Sequence, residues 1–309
     1  MPKISVIGAG NVGATAALKI AQKGLGDVVL VDVVEGVPQG KALDIEQSMP
    51  LWGSTSRITG TNDFSDMADS DVVVVTAGVP RKPGMSREDL LEVNSGIMKS
   101  VCREIRQHAP GSVVIVVTNP LDSMAYLAYR ELGFPRERVM GMAGVLDTAR
   151  FRCFLAQELG TDPSQIEALV LGSHGDSMVP VIEHARAGGK GVRNLLSPER
   201  LNAVVERTRN AGAEIVSHLK TGSAFYAPGA SIAEMAEAVL KDTGKILPVS
   251  AYLEGEYGHS GIFLGVPARL GGNGIEEIVE VEMEQETREA LGRSARVIKE
   301  ALGRLNLPE

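Results

Sequence analysis

A histidine between two glycines, an aspartate three residues ahead of an arginine, two more arginines on one short loop and an asparagine before a proline are the groups in this chain that could move a proton and hold an anion. His174 lies in Gly172-Ser-His-Gly-Asp176, directly after the apolar run Ala168–Leu171. An imidazole titrates near neutral pH and can take or give one proton, and glycines on both sides let substrate and backbone come close. A purely structural histidine at a strand end fits the local pattern equally well. Asp147-Thr-Ala-Arg150 places acid and base on one helix face. An aspartate beside an imidazole would fix its tautomer and stabilise the imidazolium; a helix-start aspartate with an ordinary surface ion pair is the alternative. Arg81-Lys-Pro-Gly-Met-Ser-Arg87 follows Asp71-Val-Val-Val-Val-Thr-Ala-Gly78, which reads as a buried strand running to its carboxyl end. Guanidinium groups match carboxylates with two parallel hydrogen bonds, so the loop suits a small anion with one or two carboxylates, or is a solvated basic turn. Asn119, in Thr118-Asn-Pro-Leu121, offers a donor and an acceptor or serves simply as a turn residue. His108, His184, His218 and His259 fall in helix, strand and turn patterns that suggest no chemistry.

Positioning these groups takes a sheet. The first half alternates β-branched apolar runs (Ile4–Ile7, Val28–Val31, Ile58–Thr61, Val72–Thr76, Val113–Thr118, Val139–Met142) with helical patterns (Val12–Lys23, Gly40–Met49, Arg87–His108, Leu121–Leu132). Such alternation predicts a parallel sheet with helices on both faces. The strands are apolar throughout, as they are when both faces are covered. Ligands then bind beyond the carboxyl ends of the strands, where the Arg81–Arg87 loop, Asn119 and the first glycine cluster all fall. After about Gly144 the pattern changes to antiparallel strands (Ile166–Leu171, Val179–Ala187, and others around Gly255 and Phe263) with helices from Ser197 and over Ser231–Lys241 and Glu284–Leu305. The fold expected is α/β, a Rossmann doubly wound parallel sheet followed by an α+β substrate or catalytic domain, divided as residues 1–144 and 145–309 and closely packed.

The glycine cluster is Gly8-Ala9-Gly10-Asn11-Val12-Gly13, between the first strand and first helix. Gly8 would permit the tight turn, Gly10 the approach of a pyrophosphate, and Gly13 the packing of helix on strand. Helix N-terminal amides would face the phosphates. Asp32 closes the second strand, where a carboxylate accepts hydrogen bonds from an adenosine ribose and repels a 2′-phosphate, favouring NAD over NADP. A glycine turn serving packing alone is the competing reading.

Bulk composition narrows the partners. The 309 residues carry a net charge of -8 and only 4% aromatic side chains, which argues against a nucleic-acid or anionic membrane surface. Two cysteines, Cys102 and Cys153, give no disulfide framework. With no long apolar run and no signal-peptide pattern, a soluble, cytoplasmic protein is expected, with no metal site.

Taken together, the glycine cluster, Asp32, Arg81-Lys-Pro-Gly-Met-Ser-Arg87, Val117-Thr-Asn-Pro120, Val145-Leu-Asp-Thr-Ala-Arg150 and Gly172-Ser-His-Gly-Asp176 resemble the lactate/malate dehydrogenase family, in the family's order and over essentially the whole chain. Within the family, the chain more closely resembles the lactate-dehydrogenase-like malate dehydrogenases of bacteria. The resemblance implies that His174 accepts and donates the proton with Asp147 orienting it, that Arg150 clamps the substrate's C1 carboxylate, and that Arg87 polarises the C2 oxygen, which Asn119 also hydrogen-bonds. It implies that Arg81, at a position where lactate enzymes carry glutamine, selects malate and oxaloacetate, and that the loop around Gly84 closes over the substrate. It implies NAD contacts from Gly8, Ala9, Gly10, Asn11, Val12, Gly13, Asp32, Asn94, Val117, Thr118 and Asn119. A tricarboxylic acid cycle role and a homo-oligomer, dimer or tetramer, follow from the same resemblance. Rival readings are another 2-hydroxy acid dehydrogenase, against which Arg81 argues, an NAD-dependent glycosidase, which lacks its cysteine–histidine metal motif here, and a non-catalytic NAD sensor, which has no need of Asp147, Arg150 and His174 together.

Overall fold

The structure is a computed structural model that describes residues 1–80 and 86–305. Arg81 and Gly84 lie outside the described residues, and so does the side chain of Arg87. The first half runs β1 (Lys3–Ile7), α1 (Asn11–Gln22), β2 (Asp27–Val31), α2 (Val37–Trp52), β3 (Ile58–Thr61), β4 (Val72–Val75), α3 (Arg87–His108), β5 (Val113–Val116), α4 (Leu121–Leu132) and β6 (Val139–Gly141). These six strands are parallel in the order β6-β5-β4-β1-β2-β3. The order reverses between β1 and β4, the crevice where doubly wound sheets bind ligands.

Alternate residues of each strand feed two cores. Val72 and Val74 pack with Ala16, Ala17 and Ile20 of α1, while Val73 and Val75 face Met98, Val101 and Ile105 of α3 and Met124 and Leu127 of α4. All four valines are fully buried, each contributing roughly 1.5–3 kcal/mol relative to exposure. This explains the unbroken apolar runs.

The second half is α5 (Gly144–Leu159), β7 (Ile166–Glu167), β8 (Val170–Leu171), β9 (Val179–Pro180), β10 (Arg186–Ala187), β11 (Lys190–Gly191), α6 (Pro198–Leu219), α7 (Tyr226–Leu240), β12 (Lys245–Glu254), β13 (Ser260–Gly271), β14 (Gly274–Ile278) and α8 (Gln285–Leu302). It forms two small sheets, β11-β10-β7 and β8-β9, but its long strands do not make a separate one. β12, β13 and β14 are antiparallel and extend the first sheet to nine strands, β12 joining β6 through the pair Ser250↔Gly141. In the same way Ile232, Met235 and Val239 of α7 pack into the core that holds α1. A Cβ on Gly229 of α7 would come within 2.6 Å of Thr15 on α1, so this helix crossing requires glycine.

Four elements differ from the sequence expectation. The expected strand Ile166–Leu171 splits, β7 pairing with β10 and β8 with β9 in separate small sheets. Val179–Ala187 likewise breaks after Pro180, which lacks an N–H for a ladder, and turns through a 3-10 segment at Ile182–His184. Helix α7 begins at Tyr226 rather than Ser231, because Pro228 falls in its first turn, where proline is tolerated. Helix α2 starts at Val37 rather than Gly40 for the same reason, with Pro38 near its start.

Candidate active site

His174 is carried on the turn after β8. Gly172 has φ +84 and exchanges two backbone hydrogen bonds with Gly265 of β13, at 2.9 and 3.1 Å. A Cβ on Gly265 would sit 2.3 Å from the Gly172 carbonyl, so the turn can dock only against glycine. The Ser173 N–H donates to Ser294 Oγ of α8 at 2.8 Å. The imidazole then meets α5, where its Nδ1 lies 2.8 Å from Asp147 Oδ2. Asp147 is 2% exposed, and Arg150 Nη1 donates to its other oxygen at 3.3 Å. The surface ion-pair alternative therefore does not describe these residues.

Burial pulls the His174 pKa down, and Arg150 adds to that pull. The Asp147 charge and hydrogen bond, helped by Asp122, outweigh both, and the pKa is raised above the usual histidine value. With a carboxylate facing Nδ1, the neutral imidazole holds its hydrogen there and leaves Nε2 as an acceptor. This is the protonation state a general base needs. Arg150 Nε is buried and has no hydrogen-bond partner among the described residues. A buried guanidinium with spare donors suits a carboxylate ligand.

Asn119 and His174 share a cleft of about 600 Å³ between the start of α4, the histidine turn and α8, whose Val297, Ile298 and Ala301 form the far wall. Asp147 and Arg150 join it through His174. Arg87 opens α3, whose next residue, Glu88, lines the same cleft. Its backbone position is set by Ser86, which caps the helix reciprocally with Asp89, at 2.9 and 3.0 Å.

The cofactor residues gather at the β1/β4 crevice. Helix α1 has no side-chain cap at Gly10, so its first amides are left to a ligand. A Cβ on Gly10 would meet nothing within 4 Å, whereas one on Gly13 would lie 1.8 Å from the Gly8 carbonyl. The glycines thus divide between ligand approach and packing. Asp32 receives the Ala9 N–H at 2.6 Å and the Val34 N–H at 3.0 Å, so its carboxylate is held at the edge of the glycine turn. Asn11 is exposed and Val12 half-buried at the helix start. The open cradle, free helix terminus and fixed acid fit a dinucleotide. Thr118 and Asn94 are placed differently from free ligand contacts. Thr118 Oγ1 donates to the Ala77 carbonyl at 2.7 Å, and Asn94 is 1% exposed, its amide donating to the carbonyls of Asn119 and Val79 and accepting the Val79 N–H. Both side chains brace the backbone of the crevice, with Val117 N–H bound to the Val75 carbonyl between them.

Sequence reasoning did not find Thr76, Asp122, Ser250 or Ser294. Thr76 Oγ1 donates to the Gly8 carbonyl at 2.9 Å, tying β4 to the glycine turn. Asp122 is 7% exposed; its Oδ2 accepts the His174 backbone N–H at 3.1 Å and its Oδ1 accepts the Ser250 hydroxyl at 2.7 Å. Burial pushes its pKa up to about 6, against the pull of the two hydrogen bonds. An acid in the first turn of a helix and serines within strand and helix patterns carry no local signal of these contacts. Among the described residues, no group of three or more His, Cys, Asp or Glu could hold a metal ion.

A dinucleotide crevice joined to a buried Asp–His pair and an anion-ready arginine defines a nicotinamide-dependent dehydrogenase. Comparison with known proteins narrows the class. The lactate/malate dehydrogenase NAD-binding domain matches residues 2–141 and the lactate/malate dehydrogenase alpha/beta C-terminal domain matches residues 144–305. The chain belongs to the lactate/malate dehydrogenase family. It is 55% identical over 302 residues to malate dehydrogenase of Bacillus cytotoxicus, covering 97% of each chain. Among solved structures, malate dehydrogenase of Cryptosporidium parvum superimposes with a TM-score of 0.96 at 45% identity, covering 98% of each chain. The Cryptosporidium parvum lactate dehydrogenase complexed with lactic acid and nicotinamide adenine dinucleotide gives 0.95 at 42% identity over 99% of each chain. No helix among the described residues is long and apolar enough to cross a membrane.

Proposed function

We propose that this protein is an NAD-dependent malate dehydrogenase that interconverts (S)-malate and oxaloacetate, as in the tricarboxylic acid cycle. The observation that carries the chemistry is the buried Asp147–His174 pair, its Nε2 left as the proton acceptor, opening on the cleft that holds Asn119. NAD, when bound, supplies the hydride acceptor. In malate oxidation Nε2 of His174 takes the hydroxyl proton, and Asp147 stabilises the imidazolium that forms. In the reverse direction the imidazolium returns the proton to the C2 oxygen. Arg150, with a spare buried Nε–H, binds the C1 carboxylate, while Arg87 and Asn119 stabilise the charge that develops on the C2 oxygen. Arg81 pairs with the second carboxylate and so selects a four-carbon diacid over pyruvate. Gly8, Ala9, Gly10, Asn11, Val12, Gly13 and Asp32 hold the adenosine and pyrophosphate, with Asn94, Val117, Thr118 and Asn119 shaping the nicotinamide side.

Residues 1–144 form the NAD-binding domain and residues 145–309 the substrate-binding and catalytic domain, with Arg81, Arg87 and Asn119 reaching the substrate from the first. The exposed Leu43, Leu51 and Trp52 of α2, at 57%, 85% and 57%, support burial in a homo-oligomer, and the two unpaired cysteines suit a cytoplasmic protein. NADH oxidation with oxaloacetate and pyruvate in parallel tests the activity. For the Arg81→Gln variant, kcat/KM for oxaloacetate should fall by about 2–5 kcal/mol in transition-state stabilisation and that for pyruvate far less; equal losses would refute the role given to Arg81. Sedimentation of the purified protein tests the oligomer, a monomer at micromolar concentration counting against it.

A further inference from the structure

The histidine turn is gripped on two sides. Ser294 of α8 takes the Ser173 N–H, and Asp122 of α4 takes the N–H of His174 itself. Asp122 sits three residues after Asn119, in the first turn of α4, where the helix dipole favours a negative charge. Its other oxygen accepts from Ser250, a fully buried residue of β12. Ser250 is also the residue that pairs β12 with Gly141 of β6, the seam at which the second half joins the first sheet. One carboxylate therefore ties together the turn that carries Asn119, the backbone of His174 and the seam strand. Among the described residues Asp122 makes no ion pair with a lysine or arginine. A buried carboxylate without such a partner is costly, and the nearby group that gains most from its charge is the imidazole of His174.

We propose that Asp122 is a positioning residue for proton transfer: it fixes the His174 backbone relative to Asn119 and supplies a second buried negative charge that favours the imidazolium. The proposal rests on the reading of His174 as the group that exchanges the substrate proton. Other charged groups around His174 are Asp147 and Arg150 of α5 and Asp176 of its own turn, with Glu88 of α3 and Glu300 and Arg304 of α8 elsewhere on the cleft wall. All of these stay in place when Asp122 alone is changed.

Two variants separate position from charge. In Asp122→Asn the amide oxygen can still accept the His174 N–H and the amide nitrogen can donate to Ser250 Oγ, so the geometry is kept and the charge removed. Asp122→Ala removes both. The measurements are kcat and KM for oxaloacetate reduction between pH 5.5 and 9, together with NADH affinity by fluorescence. Reduction needs the imidazolium, so kcat/KM declines as pH rises through the His174 pKa. For Asp122→Asn that decline should move about 1 unit toward acid, with kcat at its own optimum little changed. Asp122→Ala should show the same shift and, with the turn released, a further loss of about 10–100-fold in kcat. NADH affinity should be unchanged in both.

A pH profile of Asp122→Asn superimposable on the parent overturns the charge half of the proposal, and an unreduced kcat in Asp122→Ala overturns the positioning half. If Asp122→Ala does not fold, Ser250→Ala, which loosens the same carboxylate, takes its place in the kcat comparison. His174→Asn is run alongside. If it retains near-parental turnover, the reading of His174 fails, whereas an inactive His174→Asn with an unshifted Asp122→Asn removes this proposal alone.

Discussion

Replacing Asp147 by asparagine should damage the two directions of the reaction differently, and the structure sets by how much. The carboxylate lies 2.8 Å from Nδ1 of His174 and is 2% exposed, so water screens the contact poorly. A neighbouring anion at such a distance raises a histidine pKa by about 1–3 units, or about 1.4–4 kcal/mol of preference for the imidazolium. Asparagine removes that preference. Its amide nitrogen can also donate to Nδ1, which drives the neutral imidazole to carry its hydrogen on Nε2, toward the substrate. A general base with the wrong tautomer cannot accept the hydroxyl proton, and in a comparable Asp–His arrangement this costs about 10⁴ in rate. Arg150 loses the Asp147 Oδ1 partner at 3.3 Å as well. Malate oxidation by Asp147→Asn should accordingly fall by about 10²–10⁴ at every pH. Oxaloacetate reduction should recover in part below about pH 6, because an imidazolium donates from Nε2 whatever the neutral tautomer. The assay is NADH absorbance in both directions across pH, with NADH fluorescence and thermal melting as controls for binding and folding. Malate oxidation within about threefold of the parent, in a folded variant that still binds NADH, would refute the role assigned to Asp147.

Three further outcomes are expected. Asp32→Ser, which removes the acceptor of the Ala9 and Val34 amides, should weaken NADH binding by roughly 10–100-fold and narrow the gap to NADPH; unchanged discrimination in fluorescence titration counts against Asp32. Gly13→Ala should lower the melting temperature, with a cost of about 1–3 kcal/mol, because its Cβ lands on the Gly8 carbonyl, while Gly10→Ala should melt like the parent yet bind NADH more weakly; equal melting temperatures for the two variants would contradict this division. Burial pushes the Asp122 carboxyl up to about 6, above the usual carboxylate range, so the folded state holds its proton more tightly and stability drops as pH rises from about 4 to about 6, by about 3 kcal/mol. Asp122→Asn should remove that part of the decline, and denaturant melts giving both proteins the same pH slope would exclude it.

Much of the frame was legible because its signals are local. Strands such as Val72–Val75 are buried on both faces and so are apolar at every position, and the glycine turn needs its residue types at adjacent places. Asp147 and Arg150 were legible as a helical pair, although their burial was not. The second half was harder, since its short strands pair with distant segments and Pro180 interrupts what looks like one run. Pro228 and Gly229 lie ahead of the helix expected from Ser231, yet both sit in the first turn of α7, where proline fits and the glycine admits Thr15. Asp122 carries no local signal because its partners, His174 and Ser250, lie 52 and 128 positions away.

The sheet that continues from β6 into β12 has a mechanical consequence. Many two-part enzymes shut by swinging one lobe against the other about a few pivot residues. Here the strand seam at Ser250 and Gly141, together with the packing of α7 on α1, joins the two halves through a continuous sheet and a shared core. The cofactor crevice and the turn that carries His174 are therefore mounted on one continuous sheet. Changes in the loops at the carboxyl ends of the strands can therefore alter what is bound without disturbing the frame that carries His174.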